Sequence, residues 1–345
     1  MVAIRSRRPT TKDVAAAADV STSTVSRALS GRGYVSPAAR QRIRQAVTNL
    51  GYVPDVNARK LRVGSGREVG VMVTTLRNPF YSELATAIES RLRELDYTMI
   101  LATDNGREHE QFNAIDRLMA MRVAGIILTP VSAAAVRRLV RDRVRVIQVD
   151  RIVGRLRTDV VVSANEQGAN EATSYLLDRG HRSVALIIDE VKWTTGRGRL
   201  RGFQKAHADR SLTVPDRLVT IASTDVSAAR ARVRRLLDDH PEITAIVAAN
   251  GLMAEAVFRE LQARGVRIPV DMSLVAYDDV PWMSMVDPPI TTISQHTAAI
   301  GSACADLLVG GLEAKTEYPA RTISITPSLE VRASVGRPRP EPRAR

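Results

Sequence analysis

From Glu68 onward the chain alternates short, uninterrupted apolar runs with stretches of helical periodicity, and that alternation leaves few folds open. The runs are VGVMVT, YTMILATD, VAGIILTP, VRVIQVD, VALIID, LVTIAS, AIVAAN and SLVAYDD, all rich in Val, Ile and Leu. Amphipathic segments over 81–95 and 108–121 separate the first of them. A strand that is apolar on successive residues is buried on both faces, and strands separated by helices join in parallel through crossovers. These runs are too many for one simple sheet. The expectation is an α/β body of two doubly wound parallel-sheet lobes. In such sheets ligands bind outside the carboxyl ends of the strands.

The first 67 residues are built differently. They hold thirteen Lys and Arg against three acids, a net of +10 out of the chain's +13. A basic module on a nearly neutral body suggests a polyanionic partner for the module alone, or else a solvated basic face. Within it, TKDVAAAADVSTSTVSRALSG reads as two small helices. Thr11 is the expected N-cap of a helix over 12–18, and Asp19 makes the left-handed turn out of it. Ser21 caps a second helix over 22–29, which Gly31 ends. A third follows, with Ser36 as cap, Pro37 at the first position, residues 38–50 as its body and Gly51 after it. Val14, Ala18, Val20, Val25 and Leu29, with Ile43, Ala46, Val47 and Leu50, supply one small shared core. Three short helices with a tight first turn predict helix-turn-helix. The second helix turns Thr22, Ser23, Ser26 and Arg27 away from that core, where hydroxyls and a guanidinium reach phosphates or base edges.

The segment YVPDVNARKLR starts with an X-Pro step that stops the third helix. Asp55 or Asn57 can cap a short helix over 56–62, followed by the linker Val63-Gly64-Ser65-Gly66. So short a helix is unstable alone in water, so it is either a plain linker or a switch that folds on a partner.

Residues 11–61 resemble the DNA-binding headpiece of the LacI/GalR family of bacterial transcription regulators. The matching stretches are DVA, VSTSTVSRALSG, VSPAARQRI and LGYVPDVNARKL, and the resemblance runs on to about Gly336. It implies a small all-α headpiece over 1–54, a hinge helix and linker over 55–67, and a periplasmic-binding-protein-like effector and dimerisation domain over 68–335. One lobe would comprise 68–163 and 294–326, the other 164–293 and 327–335. By position, Thr22, Ser23 and Arg27 would face bases, and Ser21, Thr24 and Ser26 would fall near phosphates, with Tyr34 also in the DNA-binding set. Leu61 would wedge between the central base pairs of a minor groove, with Ala58 beside it. Asp19 departs from the family's usual Gly.

The same match marks an effector set at the strand ends. TTLRNPFY supplies Asn78, Phe80 and Tyr81; QVDR supplies Asp150 and Arg151; WTTGRGRLRGF supplies Trp193, Thr195 and Arg199. Asn250, Asp278, Trp282 and Gln295 complete it. Carboxylates, amides and a guanidinium suit the vicinal hydroxyls of a sugar, and aromatic faces suit its C–H side. The aromatics could equally stack a nucleobase, which leaves a purine- or nucleoside-responsive corepressed regulator open. The pair Asn250-Gly251 stands where the family commonly has Asn-Asp, so the resemblance names no particular sugar.

Partners implied are a palindromic double-stranded DNA operator, a small-molecule effector and a second copy of the chain. The Pro-rich end VGRPRPEPRAR lacks heptads, so a dimer is expected, with 336–345 disordered. Two other classes compete with this one. The five His are scattered and no phosphate loop or nucleophile motif is present, so no catalytic residue, cofactor or metal is expected. A solute-binding protein would share the body's fold but not the headpiece. MVAIRSRRPT is followed by no apolar run, no stretch is long enough to span a membrane, and Cys304 is the one cysteine. These point to the cytoplasm, with nucleoid association when bound.

Overall fold

A computed structural model describes residues 9–30, 33–52, 66–314 and 319–339. The hinge residues Ala58 and Leu61 lie outside them. The chain divides into two units, 1–66 and 67–345.

The first unit has three helices: α1 (Thr11–Ala18), α2 (Thr22–Ser30) and α3 (Pro37–Leu50). The first begins one residue earlier than expected. Thr10, not Thr11, is its N-cap, because Asp13 three residues on completes a capping box with it, at 2.7 Å from the Thr10 amide. The Thr11 hydroxyl instead lies 2.8 Å from the Tyr52 hydroxyl. Asp19 ends α1 in the left-handed region, at φ 50°. The Arg42 Nε donates to the Ala18 carbonyl at 3.0 Å and satisfies one of that helix's last acceptors. Val14, Ala18, Val25, Ile43 and Ala46 are buried together, with Val20, Leu29 and Val47 packed against them. Leu50 is not part of this core; it is 37% exposed. Gly51 turns the chain left-handed after α3 and delivers buried Tyr52 to that place.

The second unit contains two six-stranded sheets. The first runs β1 (Glu68–Val73), β2 (Thr98–Thr103), β3 (Gly125–Leu128), β4 (Arg145–Val149), β5 (Asp159–Ser163) and β11 (Thr322–Ile325), in spatial order β11-β5-β4-β3-β1-β2, all parallel. The second comprises β6 (Val184–Ile188), β7 (Val219–Ile221), β8 (Ala245–Ala248), β9 (Ser273–Tyr277), β10 (Thr291–Ser294) and β12 (Ser328–Glu330), in order β12-β10-β9-β8-β6-β7. Only β12 is antiparallel, against β10. The eight apolar runs are β1–β4 and β6–β9. Strands β5, β10, β11 and β12 were announced by no such run; β11 and β12 are partly exposed, and short.

Between strands lie helices α4 (Pro79–Glu94), α5 (Glu108–Ala120), α6 (Ala133–Arg141), α7 (Asn165–Leu177), α8 (Thr194–Ala208), α9 (Val226–Asp239), α10 (Gly251–Ala263), α11 (Trp282–Met285) and α12 (Thr297–Glu313). The chain crosses between sheets three times, at 163–165, 294–297 and 325–328. The first crossing delivers α7 to the second sheet, where Ala169, Ala172 and Leu176 join Val184, Leu186 and Val275. The second returns α12 to the first sheet, where Ile300, Cys304 and Leu308 join Val69 and Ile147. Cys304 is wholly buried there, and burial pushes its thiol pKa up.

Residues 336–339, read from composition as disordered, are docked. The Gly336 amide donates to Ser273 Oγ at 3.0 Å, and the Gly336 carbonyl lies 3.2 Å from His181 Nε2. Arg339 donates to the Pro241 carbonyl at 2.5 Å. Composition said nothing of the backbone groups waiting on the second sheet.

Candidate functional site

On α2 the buried residue is Val25, and the opposite face carries Thr22, Ser23 and Arg27, all exposed. Ser21 Oγ accepts from the Thr24 amide at 3.2 Å, which caps the helix, and lies 2.7 Å from Ser23 Oγ and 2.8 Å from Thr24 Oγ1. Arg27 Nε donates to the Ser23 carbonyl at 3.4 Å. Ser26 is half-buried, and Tyr34 is 83% exposed. The arrangement is a row of short hydroxyls at the positive end of a helix with a cation one turn on, which suits phosphates and groove edges.

In the second unit the carboxyl ends of the two sheets face one another. Asp150 follows β4 and Asp278 follows β9, both left-handed, at φ 69° and 70°. Tyr81, on the first turn of α4, donates from its hydroxyl to Asp150 Oδ2 at 3.0 Å and accepts from Arg151 Nη2 at 2.8 Å. Burial raises the pKa of Asp150 despite the neighbouring guanidiniums of Arg151 and Arg199, and raises that of Tyr81 as well. Arg199, fully buried on α8, donates to Asn165 Oδ1 at 2.7 Å and the Ala249 carbonyl at 2.5 Å, with its guanidinium 3.9 Å from the Tyr277 ring centroid. Asp278 accepts from the Gly251 amide at 3.0 Å and from Gln295 Nε2 at 2.5 Å. Gln295 Oε1 is buried without a hydrogen bond. Asn78 and Asn250 cap α4 and α10, accepting from the Phe80 amide at 3.1 Å and the Met253 amide at 2.9 Å. Phe80 meets Tyr81 edge-on, with ring centroids 5.2 Å apart.

Two contacts close this set across the sheets. The Ile152 amide, just past β4, donates to Thr194 Oγ1 on α8 at 3.1 Å. The Arg151 guanidinium sits 4.6 Å from the ring centroid of Trp193, the N-cap residue of α8, whose indole donates to Glu190 at 2.7 Å. It is Thr194 that carries the cross-sheet bond, beside the expected Thr195. Trp282 does not join the cluster. It packs on Phe258 at 5.4 Å, against the hydrophobic layer of α9 and α10.

Two cavities flank the cluster. One, of about 20 Å³, is lined in part by Phe80, Glu83, Asp278 and Gln295. The other, of about 490 Å³, is lined by Asp150, Ile152, Asn165, Thr194, Gly198 and Lys205 among others. Of the expected effector residues only Asp150 borders the larger one. Asn165, which holds Arg199 and lines that cavity, was missed by sequence reasoning. It opens α7 directly after β5, a strand with no apolar run to mark its end. Among the described residues, no group of three or more His, Cys, Asp or Glu could hold a metal, and no helix is long and apolar enough to cross a membrane.

A basic helix-turn-helix unit followed by a two-sheet body whose polar residues converge at the strand ends defines a DNA-binding regulator that senses a small molecule. The comparisons make this specific. Residues 10–55 match the lacI family of bacterial regulatory proteins, and 173–335 match the periplasmic binding protein-like domain. The ribose operon repressor of Escherichia coli is 30% identical over 94% of this chain and 99% of its own length. The HTH-type transcriptional repressor PurR of Aliivibrio fischeri is 29% identical over 94% and 98%. Among solved structures, the transcriptional regulator CelR in complex with cellobiose covers 95% of this chain and 100% of its own, with TM-score 0.72 and 30% identity. The Lac repressor dimer bound to operator shares the fold at TM-score 0.85 and 24% identity, over 96% and 100%. The chain belongs to the lacI family.

Proposed function

We propose that the protein is a cytoplasmic repressor that binds a palindromic operator as a homodimer and is released or engaged by a sugar, with no catalytic step of its own. The headpiece over 1–54 reads DNA through Thr22, Ser23 and Arg27 in the major groove, with Ser21, Thr24, Ser26 and Tyr34 toward the backbone. Ala58 and Leu61 of the segment 55–67 enter the minor groove. The lobes, 68–163 with 294–326 and 164–293 with 327–335, close on the effector. A ligand shifts such an equilibrium only by its difference in affinity between two states.

The observation that carries this reading is the Tyr81–Asp150–Arg151–Trp193 chain of contacts, seconded by the Ile152–Thr194 bond. It joins both sheets at their carboxyl ends, so whatever inserts there changes how the lobes meet. A sugar fits better than a nucleobase, because the Trp193 face is already covered by the Arg151 guanidinium and Phe80 stands edge-on to Tyr81. Asn78, Asn250, Arg199, Asp278 and Gln295 would then hold the hydroxyls, with Thr195 at the rim.

The test is selection of duplexes from a random library, then fluorescence anisotropy of the selected site with and without added sugars. A palindromic selected site whose affinity changes at least tenfold with one sugar is expected. No preference over random duplex, for the full chain under any condition, overturns the reading. A chain starting at Glu68 must lose the site altogether, and Leu61→Ser must lose specific but not non-specific binding.

A further inference from the structure

The polar cluster between the sheets is nearly full. Tyr81, Asp150, Arg151, Arg199 and Asp278 direct their hydrogen bonds to one another and to Asn165, Gln295 and backbone, leaving Arg151 Nε and Gln295 Oε1 without one, and the cavity beside Phe80 and Asp278 has about 20 Å³, room for about one water. The open space is to one side. It is the 490 Å³ groove bordered by the loop after β4, the crossing at 163–165 and the N-terminal turns of α7 and α8, which touch where Gly198 and Gly202 meet Asn165 and Glu166. Two residues belong to both places. Asp150 is the partner of Tyr81 and also borders the groove, and Asn165 is the partner of Arg199 and also borders it. Groove and cluster are therefore continuous, and they differ in what they hold.

Resting on the sugar reading above, we propose that the groove is a second subsite, and that the effector is a disaccharide or other glycoside. One ring enters the cluster past Asp150, and the second unit lies over the seam where α7 and α8 touch.

The chemistry of the walls selects a neutral polyhydroxyl unit. The lining's two cations, Arg201 and Lys205, are matched by two carboxylates, Asp150 and Glu166, and each is ion-paired, Arg201 Nε 2.8 Å from Glu166 and Lys205 Nζ 2.8 Å from Asp209. No surplus positive charge is left for a phosphate ester. None of the described residues lining the groove is aromatic, so a nucleobase would find nothing to stack on. What the walls do offer is amides and hydroxyls, from Asn165, Gln167, Asn170 and Thr194, with apolar surface from Ile152, Val162 and Ala164. That mixture suits a sugar's hydroxyl rim and C–H faces, and the volume lies within the usual range of small-molecule sites, about 300–1,000 Å³.

The experiment is calorimetric titration of the full chain with D-glucose, D-galactose and D-ribose, and with cellobiose, maltose, lactose and sucrose. It is repeated on Gln167→Trp, which puts a large ring at an exposed position on the α7 wall, and on Lys205→Trp, which does so from the α8 wall. At least one disaccharide should bind tenfold or more tightly than its component monosaccharides. Each Trp variant, with an unchanged melting temperature, should weaken that disaccharide tenfold or more and leave any monosaccharide within twofold; should one variant fold poorly, the other carries the test. A monosaccharide that binds as tightly as every disaccharide, with neither variant altering it, overturns the subsite and leaves the sugar reading standing. A tight disaccharide unaffected by both variants overturns the placement. Failure of sugars of both sizes to bind overturns the sugar reading and this inference together.

Discussion

The exposed polar face of α2 and the cluster between the sheets both present polar side chains, but they hold them in opposite ways. At the start of α2 the hydroxyls of Ser23 and Thr24 sit 2.7 and 2.8 Å from that of Ser21 at an exposed surface, and Arg27 lies along the helix. A groove can replace water around them at little cost to the fold. In the cleft, Asp150, Arg151, Arg199 and Asp278 are buried and bonded within the protein, the first two to Tyr81, Arg199 to Asn165 and the Ala249 carbonyl, and Asp278 to the Gly251 amide and Gln295. Nothing can bind there without exchanging those bonds for its own. The first surface suits recognition, whereas the second suits switching, because binding and rearrangement are one event.

The largest test of this contrast is Arg199→Ala. It leaves Asn165 Oδ1 and the Ala249 carbonyl without their donor and removes a cation from beside Asp150. Loss of one partner from a buried charged network costs about 3–5 kcal/mol. Urea unfolding should show a loss of that size; a loss under 1 kcal/mol would mean the network is loosely held. Asp104, which ends the strand neighbouring β1, comes next. Burial holds its carboxyl at about 6, although the Gly106 amide and Gln111 both bond it. Between pH about 4 and 6 the folded chain keeps a proton that the unfolded chain releases, so this group's contribution to stability falls as pH rises through that window and is flat above it. The difference in unfolding free energy between wild type and Asp104→Asn should therefore change by about 2 kcal/mol from pH 4 to 7. A pH-independent difference would place the carboxyl at an ordinary value.

Arg27→Ala should behave in the reverse manner. Exposed on α2, it should leave the unfolding free energy within about 0.5 kcal/mol. Operator affinity should fall by about 1–3 kcal/mol with relaxed choice at one base pair, if the guanidinium reads a base edge. A uniform loss over all sequences, with a shallower salt dependence, would make it a phosphate contact instead.

What the sequence made legible follows the same division. The helix-turn-helix could be read because caps and apolar spacing are local: Ser21, Ser36, Pro37 and Gly51 each act within a turn of themselves. The one slip, Thr11 for Thr10, came from two adjacent threonines and was decided by Asp13. The central strands announced themselves by continuous apolar runs, but β5, β10, β11 and β12 lean on partners brought from far along the chain. The cluster was legible residue by residue, at strand ends, yet its closure was not. Which threonine of the pair 194–195 reaches Ile152, that Trp193 is covered by Arg151, and that Trp282 turns away onto Phe258 all depend on how two sheets meet. Asn165 was missed for that reason, since the end of β5 became visible only through its pairing with β4 and β11.

The smallest test concerns one backbone conformation used for two purposes. Asp19, Asp150 and Asp278 all lie in the left-handed region, at φ 50°, 69° and 70°. That conformation strains an L-residue by about 1–2 kcal/mol, less for Asp, and glycine adopts it freely. In Asp150 and Asp278 the strain goes with carboxylates that accept from Tyr81, the Gly251 amide and Gln295, so glycine there should relax the backbone and abolish effector binding. Asp19 only turns the chain out of α1, with its amide donating back to the Ala15 and Ala16 carbonyls, bonds that glycine keeps. Asp19→Gly should therefore stabilise the headpiece by about 0.5–1 kcal/mol and leave operator affinity within twofold. A destabilised Asp19→Gly headpiece would mean that this carboxylate, like the other two, is held for a contact of its own, and the separation drawn between a surface that reads and a cluster that switches would have to be redrawn at that turn.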